Sequence, residues 1–140
     1  MYGGCFKEPG VILTKIVIVD DALLIRMQLK KFFEETMNFE VAGIGGDGIQ
    51  AVDLYRKHKP DLLTIDMTMP NMSGLEAIEQ IIGEWSSANI LVITAIQNKD
   101  LINKALNAGA KGYVNKPLYF KSEEFVQDLI DDVNDALEDG

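Results

Sequence analysis

The sequence predicts an α/β fold: a doubly wound, five-stranded parallel sheet flanked by five helices. Three observations predict it. Short Val/Ile/Leu runs recur without polar alternation, as in strands buried on both faces. Stretches with helical apolar spacing separate these runs. The links between them are short, so each strand–helix–strand step implies a right-handed parallel crossover. With 140 residues the chain has room for one core and not for two. Five strands fit the order 2-1-3-4-5, adopted from known folds of this type.

The elements follow in order. KIVIVD supplies a strand at 15–19, and Asp20 and Asp21 precede a helix at 22–36. A second strand at 39–44 leads to a helix at 48–58, where Asp47 and Gln50 have the spacing of a reciprocal cap. DLLTID gives a strand at 61–66, followed by a helix at 73–84 that Ser73 and Glu76 open as a capping box. NILVIT gives a strand at 89–94, and the helix at 100–108 ends on Gly109, which suits a left-handed C-cap. GYVN is a strand at 112–115, followed by Lys116. The last helix, 121–137, places Val126, Ile130, Val133 and Leu137 on one stripe, read as core contact.

Composition narrows the function. Formal charge is −9, with 22 acidic against 13 basic residues, which disfavours nucleic acid as a partner. No apolar run is long enough to span a bilayer. Residues 1–13 read as a tail with Lys7, Glu8 and Pro9-Gly10 and no apolar signal segment, which predicts a cytoplasmic protein. Cys5, the only cysteine, reads as a free thiol. Residues 121–140 set Lys121 against eight acids, and this run reads as a solvated helix face.

Ligands of such sheets bind outside the carboxyl ends of the strands. If the first and third strands are neighbours, Asp20, Asp21 and Asp66 meet there, with Thr94 and Lys116 at the same edge. Each pair of carboxylates about 4 Å apart repels by roughly 4 kcal/mol at an effective dielectric of 20. A divalent cation compensates, and oxygen ligands in an incomplete cage favour Mg²⁺. A carboxylate there can act as nucleophile toward a phosphoryl group, with Lys116 and the Thr94 hydroxyl holding further oxygens. The plainer readings are helix caps for Asp20 and Asp21 and a turn former for Asp66. They leave the convergence of acids at one edge unexplained.

IVIVDD, TIDMTMPNMSG, VIT and AGAKGYVNKP together resemble the receiver domains of two-component response regulators, most closely the single-domain CheY-like type. The resemblance covers 14–137 and implies the flavodoxin-like order above, with residues 14–138 as the receiver domain. It implies that Asp66 is the phosphoacceptor and that Asp21, Asp66 and the Thr68 backbone carbonyl bind Mg²⁺, with Asp20 orienting a metal-bound water. Thr94 and Tyr113 match the paired switch positions, Lys116 matches the invariant lysine, and the Lys116–Pro117 bond is expected to be cis. A histidine kinase would be the phosphodonor. A downstream protein would read the face of helix 4, strand 5 and helix 5, and chemotaxis signalling fits best. A phosphorelay intermediate or a receiver from a longer regulator are alternatives. The chain would catalyse only its own phosphorylation and dephosphorylation. Two positions depart from many relatives: Ser73 replaces an aspartate before glycine, and apolar Ile96 implies slow self-dephosphorylation.

A rival from another class is a dinucleotide-binding oxidoreductase. Gly43-Ile44-Gly45-Gly46-Asp47-Gly48 matches G-x-G-x-x-G, with Asp66 about 20 residues on. The match follows the second strand, however, and Asp47 would put a carboxylate beside the pyrophosphate. A flavin protein of this fold would hold its phosphate in a hydroxyl- and glycine-rich loop where Asp20-Asp21 stands. His58 is the only histidine and sits at a helix end, where it reads as a solvated cation.

Overall fold

A computed structural model describes residues 12–138. Residues 1–11 of the tail, Cys5 among them, lie outside the described residues. Five strands, β1 (Lys15–Val19), β2 (Glu40–Gly45), β3 (Leu62–Ile65), β4 (Ile90–Thr94) and β5 (Gly112–Asn115), form one sheet in the order β2-β1-β3-β4-β5. Every neighbouring pair is parallel. The helices are α1 (Leu23–Lys31), α2 (Gly48–His58), α3 (Gly74–Glu84), α4 (Lys99–Ala108) and α5 (Glu123–Leu137).

Alternation along the buried strands sorts the core into two layers. Val17, Val19, Leu63, Ile65, Ile90 and Val92 face α2, α3 and α4. Ile16, Ile18, Leu62, Leu91 and Ile93 face α1 and α5. The three central strands are buried almost throughout, whereas β2 and β5 at the edges are not. This is why the central runs are mostly Val, Ile and Leu, whereas the edge runs admit Glu40, Tyr113, Asn115 and several glycines. Each buried Leu or Ile contributes about 1.5–3 kcal/mol.

Local signals in the sequence act as expected at most ends. Ser73 Oγ accepts from the Glu76 N–H while Glu76 reaches back to the Ser73 N–H, a complete capping box. Gly109 closes α4 at φ 127°, a region that favours glycine. Two expectations need correction. The Asp47 side chain does accept from Gln50 N–H, but Gln50 Oε1 takes the Gly46 N–H, not that of Asp47. The helix predicted over 22–36 changes to a π-helical turn at Phe32–Thr36. Phe32 and Phe33 are both buried there, with ring centroids 5.0 Å apart. In α5 the expected stripe does face the core: Val133 is buried in it and Val126, Ile130 and Leu137 pack against it, with Leu129 and Ala136 buried alongside.

α5 also carries Asp128, Asp131, Asp132 and Asp135. Burial, and then the charges of Asp128, Asp135 and Asp131, push the Asp132 carboxyl above the usual carboxylate range. The folded chain therefore holds that proton more tightly than the unfolded chain. The contribution of Asp132 favours folding at low pH and is lost as pH rises through its raised pKa. Asp132→Asn should melt roughly 1–2 °C above wild type at pH 7 and together with it at pH 3. Matching melting curves at both pH values would show that this repulsion is absent.

Candidate functional site

The topology places the site. Chain order reverses between β1 and β3, and Val19 pairs with Ile65 at their carboxyl ends. The next residue on each side, Asp20 and Asp66, emerges side by side. Backbone bonds hold both: Asp20 N–H donates to the Gly45 carbonyl (3.0 Å) and Asp66 N–H to that of Val19 (3.2 Å). Oxygens of Asp20, Asp21 and Asp66 lie within 4.8 Å of one another. Asp20 and Asp66 are buried and Asp21 is exposed, so the cluster opens to solvent on one side.

Lys116 directly follows β5, two strands away from β3, a lateral gap of roughly 10 Å. Its long stem spans that gap. Nζ stands 2.7 Å from Asp20 Oδ2 and 3.2 Å from Asp66 Oδ2. Burial by itself would lower the Lys116 pKa; contact with Asp20 and Asp66 outweighs it and holds the ammonium above its usual range. The Lys116–Pro117 bond is cis. Thr94 is fully buried at the end of β4, where its Oγ1 accepts from Ile96 N–H at 3.2 Å and its carbonyl accepts from Lys116 N–H at 2.9 Å.

One ammonium pairs with two of the three carboxylates. Each carboxylate pair at this spacing repels by about 3.5 kcal/mol at an effective dielectric of 20. Asp20 records the strain: burial pushes its pKa up and the Asp66 charge adds to this, against the pull of Lys116 and the Ala22 N–H. The Ala22 N–H donates to Asp20 Oδ1 at 2.9 Å. The other oxygen, Oδ2, is buried without a well-directed hydrogen bond, despite its ion pair with Lys116. Hard oxygen donors, residual negative charge and a buried oxygen with capacity to spare fit a divalent cation.

The structure thus brings together Asp20, Asp21, Asp66 and Lys116 and sets Thr94 on the same edge. Thr68 follows directly, its N–H 3.5 Å from Asp66 Oδ1. Tyr113 stays outside the cluster, 43% exposed on β5. Neither Asp20 nor Asp21 caps α1, whose N-cap is Ala22 with no side-chain bond. Three contributors escaped the sequence reading. The Ala22 N–H could come from any residue but proline. Arg26 Nη1 donates to the Asp20 carbonyl at 3.3 Å, with no spacing signal to mark it. A Cβ on Gly74 would overlap the Asp66 carbonyl, a close approach that the Ser73-Gly74 pair only hinted at.

The sequence pattern of the response regulator receiver domain matches residues 16–130. The chain belongs to that family. This receiver is 40% identical to the chemotaxis protein CheY of Thermotoga maritima over 103 residues, 74% of this chain and 85% of that one. It is 37% identical to protein CcdB of Bacillus subtilis, over 75% of this chain and 87% of the other. Among solved structures it resembles the Borrelia burgdorferi CheX–CheY–BeF3–Mg complex, with TM-score 0.77, 28% identity and 86% of each chain covered. Receivers are signalling proteins, not conventional enzymes. Among the described residues, no helix of this receiver is long and apolar enough to cross a membrane.

Proposed function

We propose that this receiver, residues 14–138, takes a phosphoryl group from a partner's phosphohistidine onto Asp66 and then binds a downstream protein differently. The P–N bond of the donor breaks as a P–O bond forms to the Asp66 carboxylate. The carrying observation is the convergence of Asp20, Asp21 and Asp66 on one open edge with the Lys116 ammonium against two of them. Membership of the receiver family assigns the nucleophile's role to Asp66, and its place just past β3, between β1 and β4 in the sheet, supports that reading. Lys116, a compact charge on a long stem, is released from carboxylate pairing to meet a phosphoryl oxygen. Asp20, Asp21, Asp66 and the Thr68 carbonyl would hold Mg²⁺, which supplies charge neutralisation at the phosphoryl oxygens.

The output follows from Thr94 and Tyr113. The Thr94 hydroxyl turns to the new oxygens, and Tyr113, now half exposed, moves into the space behind it. This biases the α4–β5–α5 face, where a downstream protein reads the state. Chemotaxis control is the reading that relatives named CheY favour, and a cytoplasmic location goes with it. The test is incubation with acetyl phosphate, with Mg²⁺ or with EDTA, followed by intact-mass measurement. One added phosphoryl group with Mg²⁺, and none with EDTA, is expected; no addition in either arm rejects the proposal. Thr94→Ala should still accept the phosphoryl group, while target binding stops responding to it. A response of wild-type size would break the link from site to surface.

A further inference from the structure

The β2–α2 turn grips the β3–α3 link from outside the acidic cluster. Gly48 N–H donates to the Met72 carbonyl at 3.0 Å. A Cβ on Gly48 would collide with that same carbonyl, so only glycine allows the two backbones this close. Beside it, Asn71 Nδ2 donates to Asp47 Oδ2 at 2.8 Å. Asn71 has φ 67°, in the left-handed region that asparagine tolerates better than most residues. At the other end of the link, Gly74 N–H donates to the Met67 carbonyl at 2.9 Å. Between these anchors the link forms neither helix nor strand. From the site side Thr68 is held only weakly, its N–H 3.5 Å from Asp66 Oδ1.

We propose that Asp47 and Asn71 are positioning residues for the acidic pocket. Their hydrogen bond clamps residues 67–72, the segment whose Thr68 carbonyl would complete the cation's ligand set. The inference rests on the Mg²⁺ reading above. Asp47 suits the task. The Gln50 backbone N–H, and then the Asn71 amide, hold its carboxyl below the usual range, so it accepts as a carboxylate. The clamp also gives the glycine-rich turn a role. Its last glycine makes room for a neighbouring loop, not for a pyrophosphate.

Two variants isolate the clamp. Asn71→Gly keeps the left-handed backbone and removes the amide donor. Asp47→Ser keeps a residue able to cap α2 but too short to reach Asn71. Mg²⁺ affinity, measured by titration calorimetry without phosphodonor, should fall about fivefold to tenfold in each variant. The double variant should fall no further than the weaker single, because both remove one bond. Amide exchange at 67–72 should quicken while that of β1 and β3 stays unchanged, which separates loop release from general loosening. Wild-type affinity in both variants, or additive losses in the double, would overturn the clamp. Absence of Mg²⁺ binding by wild type would instead remove the cation reading, and the clamp with it.

Discussion

Asp66→Asn should abolish phosphoryl uptake from acetyl phosphate, with no added mass after an incubation that modifies wild type fully. An amide cannot supply the anionic oxygen that forms the new P–O bond, and no other acid takes its place. Asp20 is buried and tied to Ala22 N–H and Lys116, and Asp21 lies out at the exposed rim. The variant should fold, because it removes one of three mutually repelling charges and keeps the side-chain shape. Without Mg²⁺ it should melt no lower than wild type. With Mg²⁺ at ten times its dissociation constant, wild type should gain about 1.4 kcal/mol, or roughly 5 °C. The variant should gain much less. Mass addition to Asp66→Asn at the wild-type rate would place the nucleophile elsewhere.

Gly74→Ala should be the most damaging small substitution near the site. A Cβ there would overlap the Asp66 carbonyl oxygen and lie 2.8 Å from Met67 Cα. Both obstacles are backbone, so no rotamer change relieves them. α3 or the β3–α3 link must shift, and Gly74 N–H, 2.9 Å from the Met67 carbonyl, loses its alignment. Overpacking of this kind costs about 1–3 kcal/mol, or roughly 4–10 °C in melting temperature. Because the displaced atoms belong to Asp66 and Met67, phosphoryl uptake should slow even at temperatures where the variant is folded. A melting temperature within a degree of wild type would show that the helix start yields easily. Gly83 is the internal control, since a Cβ there meets nothing within 4 Å.

Much of this was legible in the chain. Apolar runs buried on both faces marked β1, β3 and β4, and each stops at the polar residue that reaches the edge. In the strand order of known folds of this type Asp20 and Asp66 are expected to meet, and the pairing of Val19 with Ile65 one residue earlier brings them together. Ser73 and Gly109 ended their helices as their chemistry requires. The misses have a common cause. The π-helical turn at Phe32–Thr36 fits buried Phe32 and Phe33 to the shape of the layer beneath them. Helical periodicity by itself carries no record of that shape. The Gln50 side chain likewise accepts from the Gly46 N–H, 2.6 Å away, where the capping pattern alone points to that of Asp47.

From the residues alone came the α/β class, the strand and helix succession, the acidic excess, and the three carboxylates, hydroxyl and ammonium expected at one edge. Tertiary structure decided how those groups share charge: Lys116 against Asp20 as well as Asp66, and Asp20 buried with an oxygen to spare. It also decided that Tyr113 rests outside and that Asp47 and Gly48 brace a loop two elements away. The reason is physical. Periodicity and capping act within a few residues along the chain, whereas desolvation, ion pairing and backbone close approach depend on distances that only packing sets.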